Sequence, residues 1–142
     1  GDIYFCDLKL EKGNKATDWT PAPEDKANTP VLLWTNASPT SEFAAQTISL
    51  ALDNYDEVEI EFKHSSSTSY KRIEKVKKGE SSRSSIVTGS STSGEYMAAV
   101  IRTANVTASG VTFGNGNLVN QSSYKEGSSY MVPTKIYGIK GV

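Results

Sequence analysis

The aromatic side chains of this chain are the residues whose type and placement best fit a binding chemistry. Sugars stack on the faces of tryptophan and tyrosine rings, while neighbouring polar side chains contact their hydroxyl groups. Five aromatic residues are candidate ligand-binding residues: Trp34, Tyr70, Tyr96, Tyr124 and Tyr130. Trp34 and Tyr96 lie in strand-like runs, where large aromatic side chains usually pack in the core. For Tyr124 and Tyr130, which flank residues 125–129, core packing and ligand contact both remain open.

Groups suited to catalysis are few. His64, the only histidine, is interpreted as a solvated turn residue, because a catalytic triad also needs an orienting acid and an oxyanion hole. Glu57, Glu59 and Glu61 alternate along one predicted strand, about 7 Å apart at a rise of about 3.3 Å per residue, which is a spacing that a glycosidase could use. Their neighbours are polar, whereas a glycosidase acid needs an apolar or crowded pocket. We therefore predict a solvated strand face, no catalytic residue and no enzymatic activity.

Composition excludes several other classes of protein. One cysteine and one histidine, with no aspartate-rich loop, leave no ligand set for zinc or calcium, so neither a metal nor a cofactor is predicted. The net charge of −1 indicates no affinity for nucleic acid or for an anionic membrane surface. No apolar run reaches the roughly 18 residues of a membrane span. A single cysteine also excludes an internal disulfide bond.

The secondary-structure elements that position these side chains are predicted to be β-strands. Hydrophobic residues make up 37% of the 142 residues, which suits a thin core between two sheets. Residues 57–63 alternate strictly between apolar and charged side chains, the pattern typical of a half-buried strand. No segment has a helical period over three turns. The predicted fold is all-β: an antiparallel, jelly-roll-like β-sandwich of about seven to nine strands, preceded by an extended N-terminal segment.

Turn-forming residues predict how some strands pair. Residues 46–52 and 57–63 should form a hairpin through the turn at 53–56, burying Ile48, Leu50, Val58, Ile60 and Phe62. Residues 114–117 (Gly-Asn-Gly-Asn) predict a second hairpin between residues 111–113 and 118–120. The basic residues 71–77 should form a strand beside the three glutamates. Pro133 indicates an edge position or a β-bulge.

Two parts of the chain differ in character. Residues 1–30 contain one strand-like run and then Pro21 and Pro23, which favour extended backbone and remove hydrogen-bond donors. We interpret them as the remnant strand of an upstream domain plus a linker. Residues 31–142 are predicted to form the C-terminal β-sandwich module.

Two regions resemble phage proteins. Residues 9–25 (KLEKGNKATDWTPAPED) resemble a segment of tail proteins from phages and prophages of Gram-positive bacteria, where it closes a carbohydrate-binding-like β-sandwich. Residues 31–36 (VLLWTN), 43–50 (FAAQTISL), 55–56 and 133–140 (PTKIYGIK) resemble distal modules of phage tail and fibre proteins. The resemblance implies that residues 1–30 hold only one strand of that upstream sandwich.

The resemblance implies a virion structural protein made in the cytoplasm of the bacterial host. It implies a homo-oligomer, expected to be a trimer, that contacts other tail proteins and a glycan on the host cell surface. Two functions follow as expectations: a receptor-binding module for cell-wall carbohydrate, or a purely structural trimerisation knob or spacer. A receptor-binding module should leave aromatic side chains in an open groove, whereas a knob should bury them between subunits.

Overall fold

The chain is all-β throughout the part that its computed structural model describes, residues 28–67, 70–89, 97–120 and 123–141. These ranges contain ten strands, all paired antiparallel, and no helix. The strands are β1 (Val31–Thr35), β2 (Gln46–Ser49), β3 (Glu57–Ser65), β4 (Lys71–Lys77), β5 (Ser81–Gly89), β6 (Met97–Thr107), β7 (Gly110–Phe113), β8 (Asn117–Asn120), β9 (Tyr124–Glu126) and β10 (Tyr130–Ile139). They form two packed sheets, which confirms the predicted β-sandwich.

Sheet A has four strands in the order β1-β10-β3-β4. The alternation predicted for β3 is confirmed, since Val58, Ile60 and Phe62 are at most 1% exposed. β3 pairs with β4, and this places Glu57 opposite Lys77 and Glu59 opposite Lys75, as the charge pattern predicts. The outer face of sheet A is therefore charged, and its inner face is apolar.

Sheet B contains two rows that are each made of two short strands. β5 pairs with β6 over nine residues, from Ser81–Asn105 to Gly89–Met97. On the other side of β6, β7 pairs near Thr107 and β8 pairs near Ala98, so that β7 and β8 lie end to end. β2 pairs with β7, and β9 pairs with β8. β2 and β9 therefore form the second divided row of the sheet. These divided rows explain why ten strands are present where seven to nine were predicted.

The core lies between the inner faces of the two sheets. An aromatic chain crosses it: Phe62 of sheet A meets Phe113 of sheet B at 6.1 Å between ring centroids, and Phe113 meets Phe43 at 5.5 Å. Both contacts are edge-to-face, the arrangement that the ring quadrupoles favour. Aliphatic residues from both sheets, including Ile136, Val100 and Val106, fill the space around the rings.

Arg102 of β6 fills the break between β7 and β8. Its side chain is fully buried and donates hydrogen bonds to four backbone carbonyls: Met131 (2.7 Å, from Nε), Gly114 (2.6 Å, from Nη1), Tyr130 (2.8 Å) and Ser128 (3.3 Å, both from Nη2). The guanidinium lies 5.4 Å from the centroid of the Phe43 ring, a cation–π distance. Burial lowers the pKa of Arg102 to about 10, so the side chain remains charged at neutral pH.

One residue of β10 has a left-handed backbone conformation, and two of the carbonyls that Arg102 contacts lie at this point of the strand. Successive carbonyls of a regular strand point to opposite sides. Met131 has φ of +47°, and the carbonyls of both Tyr130 and Met131 accept hydrogen bonds from Arg102. This conformation is costly for a residue with a side chain, so the charged hydrogen bonds of Arg102 help to maintain it.

The predicted hairpin between residues 46–52 and 57–63 is wrong. β2 pairs with β7 in sheet B, whereas β3 lies in sheet A. After β2, the amides of Leu50 and Leu52 donate to Ser109 and Ala108, so the chain continues beside the β6–β7 turn. The turn at residues 53–54 then carries the chain across to sheet A. Ile48 and Leu50, predicted to be buried, are half-buried.

The second predicted hairpin is also wrong. Residues 110–113 and 117–120 pair with the same strand, β6, and not with each other. The Gly114–Gly116 segment carries the chain from one strand to the next without reversing it. A Cβ on Gly116 would lie 2.7 Å from the Gly127 carbonyl and 2.9 Å from Arg102 Nη2. The glycine therefore serves a close approach of backbone, which sequence alone does not distinguish from a turn.

Pro133 lies at a bulge, as predicted, but not at an edge. β10 is a central strand between β1 and β3, and its register shifts between Pro133 and Lys135. The Asn36 side chain donates to the Pro133 carbonyl at 2.9 Å, and its backbone amide donates to Thr134. The bulge accommodates a residue without an amide proton inside the sheet.

Most of the predicted N-terminal remnant and linker, residues 1–30, lies outside the described residues. The described part starts at Asn28, whose amide donates to the Lys140 carbonyl at 2.8 Å. β1, the first described strand, begins at Val31.

Candidate ligand-binding site

The outer face of sheet B gathers side chains from four neighbouring strands. In β6, alternate residues from Val100 to Val106 are buried, so Ile101 and Thr103 face outward. Residues that pair directly across strands share a face of the sheet. Arg83 of β5 pairs with Thr103, and Asn117 of β8 pairs with Ile101. Polar side chains therefore lie on both sides of β6 on the same outer face.

A groove of about 160 Å³ opens on this face, and we call it the Tyr124 groove. Tyr124 of β9 joins it because it pairs with Val119 of β8. The groove is lined by Arg83, Ile101, Thr103, Asn117, Val119 and Tyr124. It therefore combines two aliphatic side chains, one aromatic ring and three polar side chains, the composition of a site for a small polar ligand.

Hydrogen bonds hold Tyr124 and Asn117 in position. The Tyr124 hydroxyl donates to Asn117 Oδ1 at 2.6 Å, and Asn117 Nδ2 donates to the Asn115 carbonyl at 3.3 Å. The Tyr124 side chain nevertheless remains 68% exposed. A ring anchored at its hydroxyl and open to solvent can stack on a ligand at little cost in side-chain entropy.

Arg83 supplies the charge of the Tyr124 groove. It is exposed, and no ion pair joins it to a carboxylate among the described residues. Its guanidinium has five N–H donors, while the Thr103 hydroxyl can both donate and accept. The groove can therefore form hydrogen bonds with hydroxyl or carboxylate groups of a ligand that stacks on the Tyr124 ring.

The other predicted aromatic residues lie elsewhere. Trp34 is half-buried and packs edge-to-face on Phe43 at 6.1 Å, in agreement with the core interpretation. Tyr130 is half-buried, packs against the core and lies close to Gly127. Tyr96 lies outside the described residues. Among the four described candidates, Tyr124 alone lines the groove.

Tyr70 is exposed but belongs to the other sheet, just before β4. It is 64% exposed and its ring meets the His64 imidazole edge-on at 6.1 Å. The turns after β3 and after β9 do meet, because the Ser66 amide donates to the Ser129 carbonyl at 3.0 Å. The two turns are thus neighbours, but Tyr70 does not join Tyr124 in one groove.

Five groove residues escaped the sequence analysis: Arg83, Ile101, Thr103, Asn117 and Val119. Each lies in a strand whose partners were unknown or wrongly predicted. Alternation in β6 could have identified Ile101 and Thr103 as outward-facing, but nothing in the sequence places Asn117 beside Ile101. That contact requires β7 and β8 to share one edge of β6.

The predicted carboxylate row faces outward. Glu57, Glu59 and Glu61 are half-buried on the outer face of sheet A. Glu61 accepts a hydrogen bond from Thr134 Oγ1 at 2.8 Å and lies 3.5 Å from Lys71 Nζ. It lines a shallow groove together with three lysines and no second carboxylate. A paired-carboxylate glycosidase centre requires two.

The turn interpretation of His64 is wrong. It lies within β3, half-buried, and its Nδ1 is buried without a hydrogen-bond partner in the described part of the chain. Burial lowers the pKa of this imidazole below its usual 6.5. β3 runs longer than predicted because β10 pairs with it as far as Ser65.

Within the described ranges, no group of three histidine, cysteine, aspartate or glutamate side chains is arranged to bind a metal ion. A helix able to cross a membrane is likewise absent from those ranges. No protein-family model, no curated protein and no solved structure matches this chain. The geometry of its own residues is therefore the basis for assigning a function.

Proposed function

We propose that the chain is a non-enzymatic attachment module that binds carbohydrate in the Tyr124 groove. The observation that carries the proposal is the exposed Tyr124 ring, held by Asn117 within a groove that also contains Arg83. A sugar ring can stack on the tyrosine while its hydroxyl or acidic groups meet the amide and the guanidinium. The phage-like segments suggest the biological setting: a distal module of a tail or fibre in a virion.

Attachment through this groove should depend on multivalency. One shallow site of this size should bind with high-micromolar to millimolar affinity, about −4 to −6 kcal/mol. We propose that a homotrimer, joined to other tail proteins, presents several copies to a host-surface glycan. Linked sites of this kind raise avidity without any new contact.

The test compares two exposed tyrosines. Tyr124→Ala should weaken glycan binding by about fivefold or more, since truncating an anchoring tyrosine at a binding site costs at least about 1 kcal/mol, and should leave the melting temperature nearly unchanged. Tyr70→Ala is the matched control, because Tyr70 is similarly exposed but lies outside the groove. Binding would be measured on a cell-wall glycan array and by calorimetry. Equal glycan binding by both variants and the parent would overturn the proposal.

A structural knob or spacer is the second candidate. Three apolar side chains, Leu32, Ile73 and Val87, are more than half exposed, and a subunit interface would cover them. Light scattering on the full chain separates the two candidates. A trimer that Val87→Ser or Ile73→Ser converts to monomer, together with no glycan binding, would favour the knob. If light scattering gives the mass of a monomer at every protein concentration, the proposed trimer is wrong for both candidate functions.

A further inference from the structure

The outer face of sheet A carries a charge ladder that is regular over two rows. Glu57 faces Lys77 and Glu59 faces Lys75 across β3 and β4. Opposite charges facing each other across an antiparallel pair stabilise it. These two rows are therefore matched in charge across the strands, although neither closes into an ion pair among the described residues.

At the other end of the β3–β4 pair, like charges face each other instead of opposite charges. Lys63 faces Lys71 directly across the same two strands. Like charges in this position destabilise the strand pair. Departures of this kind from local charge matching are concentrated at functional sites, and here the departure lies beside a groove.

A third lysine faces the same groove, which we call the lysine groove. The groove has a volume of about 260 Å³, and its charged lining consists of Lys63, Lys71, Lys135 and Glu61. Three positive charges against one negative charge leave a formal excess of two positive charges. Thr35, Asn36 and Thr134 add polar groups to its lining.

Glu61 is already counted in this excess of two positive charges. Its Oε2 atom accepts a hydrogen bond from Thr134 at 2.8 Å and lies 3.5 Å from Lys71 Nζ. Lys63 Nζ makes only a long contact, 3.4 Å, with the Ser66 carbonyl. Lys135 faces Glu61 across β10 and β3, but in the part of the chain that the structure describes no ion pair joins Lys63 or Lys135 to a carboxylate.

We propose that the lysine groove binds a phosphate group. Lysine acts as a point charge toward phosphate, and two excess positive charges match a phosphate dianion or two successive phosphodiesters. The ligand could be a free or terminal phosphate, or a phosphodiester within a polymer, and the same oxyanion chemistry recognises both. The site is separate from the Tyr124 groove, so this proposal does not rest on the proposed function.

Chemical-shift perturbation of backbone amides tests the proposal on the full chain. The probes are inorganic phosphate and dimethyl phosphate, each compared with sodium chloride at equal ionic strength. Binding should perturb amides of β3, β10 and the start of β4 in a saturable manner. Preference for inorganic phosphate identifies a free or terminal phosphate as the ligand, and preference for dimethyl phosphate identifies a phosphodiester. Shifts no larger than those caused by chloride, for both probes, would overturn the proposal.

A matched set of lysine variants then locates the site. Lys63→Gln and Lys135→Gln should each weaken phosphate binding by roughly tenfold or more, the loss expected for one charge-assisted hydrogen bond. Lys75→Gln is the control, because it removes the same charge from the same sheet face opposite Glu59 and outside the groove. If all three variants weaken phosphate binding equally, the effect comes from the net charge of the protein and not from a site in the lysine groove, and the proposal is wrong.

Stability provides an independent readout. Lys63→Gln removes a like-charge pair, so its melting temperature should equal or exceed that of the parent while phosphate binding falls. The parent should also gain thermal stability when phosphate is added, and Lys63→Gln should gain less. A parent melting temperature that phosphate and chloride change equally would contradict the proposal.

Discussion

Sheet A and sheet B reach the same sandwich by different means. The β3–β10 pair of sheet A extends over eight register pairs, interrupted by the bulge after Pro133, with apolar residues inside and charged residues outside on β3. In sheet B, two rows are divided, and a buried arginine at the break donates to four carbonyls. The outer face of sheet A carries two rows of opposite charges together with the exposed apolar side chains Leu32 and Ile73. Serine, threonine and asparagine predominate on the outer face of sheet B. Strict side-chain alternation therefore identifies β3 of sheet A from the sequence, whereas the divided rows of sheet B leave no comparable local signal.

The largest expected effect concerns the break in sheet B. Arg102→Met should lower the free energy of unfolding by about 3 kcal/mol, because it leaves several buried carbonyls without donors. Ile60→Val, at an equally buried position of sheet A, should cost only about 0.5–1.5 kcal/mol. Chemical denaturation of both variants measures the difference. Equal costs would show that the arginine contributes no more than an ordinary core side chain.

The comparison also shows where sequence reasoning succeeds. β3 was predictable because its alternation is strict, and the β3–β4 pairing followed from a run of lysines next to a run of glutamates. Both signals are local. Burial of Val58, Ile60 and Phe62 then follows from the face of the strand on which they lie.

The failures share one cause. Residues 53–54 and 114–116 have the composition of turns, but composition does not show whether the chain reverses within one sheet, crosses to the other or continues in line. Arg102 has no sequence signal, because its acceptors are backbone carbonyls of a distant strand and loop. The sequence identified only one residue of the Tyr124 groove, the tyrosine itself. The other side chains come together through the pairing of β5 and β8 with β6.

The charge ladder of sheet A allows a test of intermediate size. Glu59→Lys places like charges opposite each other at Lys75 and should cost about 0.2–1 kcal/mol, the usual size of a cross-strand charge pair. The double variant with Lys75→Glu should recover most of that loss, because it restores opposite charges. A double-mutant cycle at low and high salt isolates the pair, and its coupling should shrink with salt. A coupling of zero at low salt would mean that the ladder is solvated rather than paired.

The smallest expected effect is a pH dependence at the end of β3, where the regular pattern of sheet A gives way to His64. Burial lowers the pKa of His64 in the folded protein below its usual 6.5, so the unfolded chain binds a proton more readily. The free energy of unfolding should therefore be greatest above pH 7 and fall as the pH drops from about 6.5 toward 5, near the ordinary pKa of histidine. His64→Gln should flatten the curve in that range, and since His64 is the only histidine, the difference between the two curves reports this imidazole alone. Parallel curves for parent and variant from pH 8 to 5 would show that the imidazole titrates alike in the folded and unfolded chain, and hence that its buried Nδ1 costs nothing to protonate.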